Sequence, residues 1–185
     1  MKLSLTGSQT VGPYYEIGME PLFTHRVSGG QGPLYTVRGR LLDARGQGIP
    51  DGFLELWTPG LAEGTALAVG VNDAVGFARV RTDDAGCYGF QVCRPEPVAY
   101  DESRLQAPHL LVLIFMRGLL RNLVTRMYFP SESANAADPV LLMVPAERRS
   151  TLVAMPGAEA DALLWNICLR DLPELGMQET VFFEW

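Results

Sequence analysis

A chain of 185 residues, 48% hydrophobic and 19% charged, can bury a core without disulfides or a structural metal. Its net charge of −6 argues against nucleic acid or an anionic membrane surface as a partner. Two histidines and three cysteines (Cys87, Cys93, Cys168) without CxxC spacing argue against a zinc cluster, and no segment is apolar for long enough to span a membrane.

The first residues, MKLSLTGSQT, hold no long apolar run before a cleavage site, so a cytoplasmic location is expected, with one domain over residues 1–185. Residues 6–20 (TGSQTVGPYYEIGME) read as an extended arm, because Gly7, Gly12, Pro13 and Gly18 oppose a regular helix. Val11, Tyr14, Tyr15 and Ile17 on that arm need an apolar surface, either this chain's own sheet or a partner subunit. Residues 25–33 form a loop by composition. Residues 35–42 alternate as a strand, 43–47 make a hairpin turn, and 52–57 return as the next strand. Residues 59–75, rich in Gly and Ala, are expected as a long loop. Residues 77–82 and 87–93 alternate about an Asp83-Asp84-Ala85-Gly86 turn, which predicts a hairpin.

A loop over residues 94–107 leads to Leu110–Met116, seven uninterrupted apolar residues. That is strand length, and the lack of alternation predicts a central strand buried on both faces. Arg117-Gly118 then makes a tight turn, and residues 119–129 run back as a second strand. Beyond it lie a polar loop with room for one helical turn (131–137), a short apolar run (140–144), a turn, open or helical (145–149), a strand (150–155) and two closing segments (162–169, 180–185). Many short strands at regular spacing indicate an all-β sandwich. Taken alone, Arg117 is ordinary turn chemistry, Arg126 a structural ion-pair or interface residue, Arg148-Arg149 a solvated or interface pair, Glu55 a buried or interface carboxylate, and Trp57, Trp165 and Trp185 core or interface area.

Several motifs together carry more. These are Val37-Arg38-Gly39-Arg40-Leu41 with Gly46, Ile49 and Leu54-Glu55-Leu56-Trp57; Thr82-Asp83-Asp84-Ala85-Gly86-Cys87-Tyr88; Ala107-Pro108-His109; and Thr125-Arg126-Met127-Tyr128-Phe129. With Ser8-Gln9-Thr10-Val11-Gly12-Pro13-Tyr14 near one end and Glu179-Thr180-Val181-Phe182-Phe183 near the other, the chain resembles the intradiol aromatic-ring-cleaving dioxygenases over nearly its whole length. More narrowly, it is similar to the alpha-type subunit within that family.

The resemblance implies a β-sandwich of the intradiol dioxygenase type, with long loops and an extended N-terminal arm. It also implies a ferric ion, which family members hold with two tyrosines and two histidines, the histidines as His-x-His on one strand. Residues i and i+2 of a strand face the same way, so both imidazoles reach one metal. Here His109 is followed by Leu111, Val98 stands near one tyrosine position with Tyr100 displaced from it, and residues 59–75 contain no tyrosine. The resemblance therefore implies that this chain binds no metal and that Fe(III) belongs to a beta subunit of the same fold, with alpha and beta chains alternating in a larger assembly. The implied substrates are O2 and protocatechuate (3,4-dihydroxybenzoate), and the implied product is 3-carboxy-cis,cis-muconate. Arg117 matches a family arginine near the substrate, and a guanidinium is a fitting complement for the ring carboxylate because it is always charged and bonds through two N–H groups. Thr10, Gly12, Pro13 and Tyr14 are implied to lie against the same pocket. Two other readings stand beside this one: a metal-free binding or scaffold module of the same fold, and a self-sufficient enzyme holding iron with Tyr100, His109 and other residues.

Overall fold

Alternating segments need two apolar layers to face each other, and two sheets supply them. The computed structural model describes residues 5–60 and 75–184. In chain order the strands are β1 (Arg26–Val27), β2 (Leu34–Leu42), β3 (Phe53–Trp57), β4 (Phe77–Arg81), β5 (Cys87–Cys93), β6 (Val98–Ala99), β7 (Leu105–Gln106), β8 (His109–Phe115), β9 (Leu123–Tyr128), β10 (Met155–Pro156), β11 (Ala162–Leu164) and β12 (Ile167–Cys168). The first sheet runs β1-β5-β2-β11-β10, with β12 also paired to β2. The second runs β4-β3-β8-β9, and β6 pairs with β7 in a separate ribbon. Val37, Leu41, Phe90 and Val92 from the first sheet meet Leu54, Leu56, Val112 and Ile114 from the second in one buried core. The all-β sandwich read from the sequence is the architecture observed.

Neither expected hairpin forms. β2 and β3 lie in different sheets, as do β4 and β5, so both turns are corners that carry the chain from one layer to the other. The corners share one construction. Asp43 Oδ1 accepts from Arg45 N and Gln47 N at 2.8 and 2.9 Å, and Asp83 Oδ1 accepts from Ala85 N and Cys87 N at 2.9 and 2.8 Å. Gly46 and Gly86 then take φ of 74° and 73°, the left-handed region open to glycine. The corners also interlock. Leu41 N donates to Gly86 O at 2.9 Å, and Thr82 Oγ1 bonds both Ile49 O (2.7 Å) and Gly52 N (3.0 Å). A Cβ on Gly48 would stand 1.9 Å from Ala85 O, so only glycine permits this approach.

The long apolar run forms β8, with register from His109↔Tyr128 to Ile114↔Leu123 against β9. It is not buried on both faces. Leu110, Val112 and Ile114 point into the core, whereas Leu111, Leu113 and Phe115 are half-buried on the outer side. Nor is the turn after it tight: β9 begins at Leu123, so residues 116–122 form a wider loop.

The N-terminal arm is extended only in part. Residues 5–12 are irregular, but Pro13–Met19 is a helix, α1. Gly12 occupies its N-cap, Pro13 its first position, where a missing N–H costs nothing, and Gly18 its last turn, so these residues flank the helix rather than break it. The apolar run 140–144 is also helical. It forms α2 (Pro139–Met143), with Asp138 as N-cap. In place of the strand expected at 150–155, a 3-10 helix runs Ala146–Leu152 before β10. The loops expected at 25–33 and 94–107 contain β1 and the β6–β7 pair. The expectations for most of 59–75 and for Trp185 fall outside the described residues.

Candidate functional site

The outer face of β8 supplies the floor of a cavity of about 970 Å³. Leu111, Leu113 and Phe115 line it from below, Gln9 and Val11 from the arm, the 116–122 loop from one end, and Phe182 and Phe183 from the closing segment. Phe183 N donates to Val124 O at 2.8 Å, which lays that segment along β9. The seven-residue apolar run thus serves two surfaces, the core and this cavity.

Aromatic stacking fixes the arm beside the same face. Phe53 and Phe115, cross-strand partners, stack at 4.8 Å between ring centroids, and Tyr15 stacks on Phe53 at 5.5 Å. Upstream, Thr10 Oγ1 accepts a hydrogen bond from Gly118 N at 2.8 Å. Thr10 is therefore brought directly to the Arg117-Gly118 turn. Gly12 is exposed at the helix N-cap, Pro13 opens the helix, and the Tyr14 side chain is 85% exposed on it. Arg117 is 60% exposed, and its Nε donates to Asp51 Oδ2 in an ion pair. Arg117 is not among the residues that line the cavity, although its neighbours Met116 and Leu119 are.

At the opposite end of β8 lies a buried polar cluster. His109 is 2% exposed, and its Nδ1 lies 2.7 Å from Ala107 O. A carbonyl only accepts, so Nδ1 carries the proton of the neutral ring. Burial, helped by the Arg126 charge, pushes the His109 pKa down to about 4. Its ring sits 5.4 Å from Tyr128, whose phenol burial drives upward in pKa. Arg126 Nη1 donates to Gln106 Oε1 at 2.8 Å and to Tyr128 OH at 3.3 Å. Asp138 ties the cluster to the backbone. Oδ1 accepts from Tyr128 OH (3.0 Å), Val140 N (2.9 Å) and Leu141 N (2.7 Å), and Oδ2 from Ala107 N (2.7 Å).

These residues do not fit a ferric ion. Leu111, two positions on from His109 and on the same face, offers no donor atom. Arg126, the cross-strand partner of Leu111, brings a fixed positive charge to that position. Tyr100 has its ring against the Arg104 guanidinium at 4.7 Å, and Val98 pairs with Gln106 in β6–β7. Among the described residues, no three His, Cys, Asp or Glu side chains cluster as a metal site. Glu55 finds its partner in Arg79, with Oε1 2.5 Å from Nη2. Arg148 and Arg149 donate to the carbonyls of Glu179, Val144 and Leu142 rather than standing free.

Sequence reasoning missed Asp51 and Asp138. The first leaves no local signal, since its partner is 66 positions away. The second does leave one: Asp followed by Pro is a helix N-cap with proline at the first position.

No family model matches the chain. Comparison with known proteins is more informative. The chain is 37% identical to the protocatechuate 3,4-dioxygenase alpha chain of Burkholderia cepacia, over 98% of each chain. It is 32% identical to the alpha chain of that name from Pseudomonas putida, over 97% of this chain and 96% of that one. With the protocatechuate 3,4-dioxygenase beta chain of Burkholderia cepacia it shares 28% identity over 66% of this chain and 56% of that one. In fold it matches the crystal structure of 3-chlorocatechol 1,2-dioxygenase from Rhodococcus opacus 1CP, with a TM-score of 0.59 at 16% identity, covering 90% of this chain and 68% of that one. Identities of 37% and 32% over nearly the whole length of two alpha chains lead to one conclusion: the chain belongs to the protocatechuate 3,4-dioxygenase alpha-chain family of the intradiol dioxygenases.

Proposed function

We propose that this chain works as the metal-free half of an active pair in the cytoplasm. A beta chain of the same fold holds Fe(III), and together the two convert protocatechuate and O2 to 3-carboxy-cis,cis-muconate. The observation that carries the reading is Leu111. It removes the second histidine of the ligand strand in a chain that is otherwise an alpha-chain relative throughout and that also resembles a beta chain. Held by such a partner, ferric iron would supply the chemistry that activates a catechol ring toward dioxygen.

This chain's residues bind and orient. Arg117 takes the substrate carboxylate, and its charge selects acid-bearing rings over neutral ones. Thr10, hydrogen-bonded to the Arg117-Gly118 turn, ties arm and turn into one wall, which Gly12, Pro13 and Tyr14 extend. The apolar cavity floored by Leu111, Leu113 and Phe115 excludes water beside that wall.

Iron content and ring-cleavage activity test the reading, measured for the chain alone and for the chain co-expressed with a beta-type partner that carries His-x-His. A colourless, inactive chain that becomes red-brown and active with its partner is the expected result. Iron and activity in the isolated chain would overturn it, and an inactive complex would leave a binding module. Within the active complex, Arg117→Ala raises KM for protocatechuate by roughly 10- to 100-fold, the worth of a charge-assisted hydrogen bond, and leaves KM for neutral catechol near its starting value.

A further inference from the structure

The arginine assigned to the substrate carboxylate is held from two sides. Its neighbour's amide, Gly118 N, is bonded by Thr10 Oγ1, and its own Nε donates to Asp51 Oδ2. Asp51 is well placed to act as an anchor. It is 22% exposed, against 60% for Arg117, and it sits on the interlocked corner between β2 and β3. On either side of it the backbone is tied down. Ile49 N donates to Leu41 O at 3.0 Å, Gly52 N to Thr82 Oγ1 at 3.0 Å, and Thr82 N to Gly52 O at 2.9 Å. Arg117, by contrast, is a long side chain on an open loop, next to a glycine at φ 93°.

We infer that Asp51 is the positioning residue of the carboxylate site: it holds the Arg117 guanidinium by Nε so that the Nη edge points outward, ready for a second carboxylate. The inference rests on the reading of Arg117 given above. A guanidinium carries five N–H donors in a rigid fork, so engaging Nε leaves four on the two Nη atoms. Those four suffice for a two-point grip on an aromatic acid. An unanchored arginine must lose its rotamer freedom at each binding event, whereas an anchored one has already lost it. The Asp51 charge also repels the incoming carboxylate, but across an exposed guanidinium that repulsion is screened and weak. Preorganisation outweighs it. A neutral catechol has no group for Arg117 to grip, so it feels neither effect.

The experiment compares KM and kcat of the alpha–beta holoenzyme for protocatechuate and for catechol. The wild type is measured beside Asp51→Ala, Asp51→Asn, Arg117→Ala and the Asp51→Ala/Arg117→Ala double variant. Asp51→Ala raises KM for protocatechuate about fivefold with kcat nearly unchanged and leaves catechol unaffected. Asp51→Asn, which keeps an acceptor but not the charge, falls between wild type and Asp51→Ala and guards against loss of folding. The double variant matches Arg117→Ala alone, because the anchor has nothing left to hold. The inference fails if Asp51→Ala shifts both substrates alike, shifts neither, or lowers KM for protocatechuate. If Arg117→Ala itself leaves the preference for the acid intact, the underlying reading fails instead, and the two failures are told apart by that variant.

Discussion

Replacing Asp138 by alanine tests how the buried cluster holds the entrance to β8. Asp138 is 0% exposed and accepts four hydrogen bonds. Two of them cap α2, and losing a cap costs about 1 kcal/mol. The Ala107 amide and the Tyr128 hydroxyl proton then lose their acceptor inside the protein, at about 1–3 kcal/mol each. The sum is about 5 kcal/mol, a large share of the roughly 5–15 kcal/mol that holds a typical domain together. For a chain of this size it corresponds to a fall in Tm of about 10 °C. Asp138→Asn keeps one accepting oxygen and should lose about half as much. Guanidinium titration, followed by the fluorescence of buried Trp165, measures both variants. If Asp138→Ala stays within about 1 kcal/mol of wild type, the cluster does not organise this end of the sandwich and the reasoning is wrong.

His109 predicts a pH dependence. Its folded pKa, about 4, lies below its ordinary value of 6.5, so between those pH values the unfolded chain binds more protons than the folded one. Stability is complete above pH 6.5 and falls as the pH drops toward 4, by at most about 3 kcal/mol. Denaturation midpoints across that window should decline more steeply for wild type than for His109→Gln, and parallel curves would refute the assignment. A second prediction concerns the corners. Gly48→Ala drives a Cβ into the Ala85 carbonyl and should cost about 3 kcal/mol, seen as a lowered Tm, whereas Gly7→Ala, with open space around it, should change nothing.

The strands themselves were plain in the sequence because alternation is a local property. Their partners were not. The Asp-x-x-Gly turns at Asp43 and Asp83 were read correctly as turns, yet the same chemistry serves a hairpin and a sheet-to-sheet corner. Contacts such as Gly48 with Ala85, some 40 positions apart, select the corner. Helix α1 was obscured because Gly12, Pro13 and Gly18 were counted as breakers without regard to where they would fall in a helix. The unbroken apolar run of β8 predicted contact on both faces. One contact is the core, and the other is a cavity rather than a second buried layer. Nothing local to Arg117 marks it as more than a turn residue, and only the family resemblance points to it as the substrate-carboxylate arginine. Given the His-x-His pattern that the resemblance implies, Leu111 in place of a second histidine is visible in the sequence, because strand periodicity says which two residues share a face.

The two short crossings between the sheets, β2 to β3 and β4 to β5, lie at the end of the sandwich where Phe53 pairs with Phe115 and where the Arg117 loop begins, whereas the longer crossings, β5 to β8 and β9 to β10, enter and leave the second sheet at the His109 end. At the Arg117 end the two crossings are short turns that bond to each other, whereas at the His109 end they are longer segments held by the Asp138 bonds. Thermal opening should therefore start at the His109 end and reach the arginine last. The same asymmetry divides the molecule's capacity for change. Residues added around α2 fall at the His109 end and leave the arginine where it was. An insertion of one residue at either corner would move it.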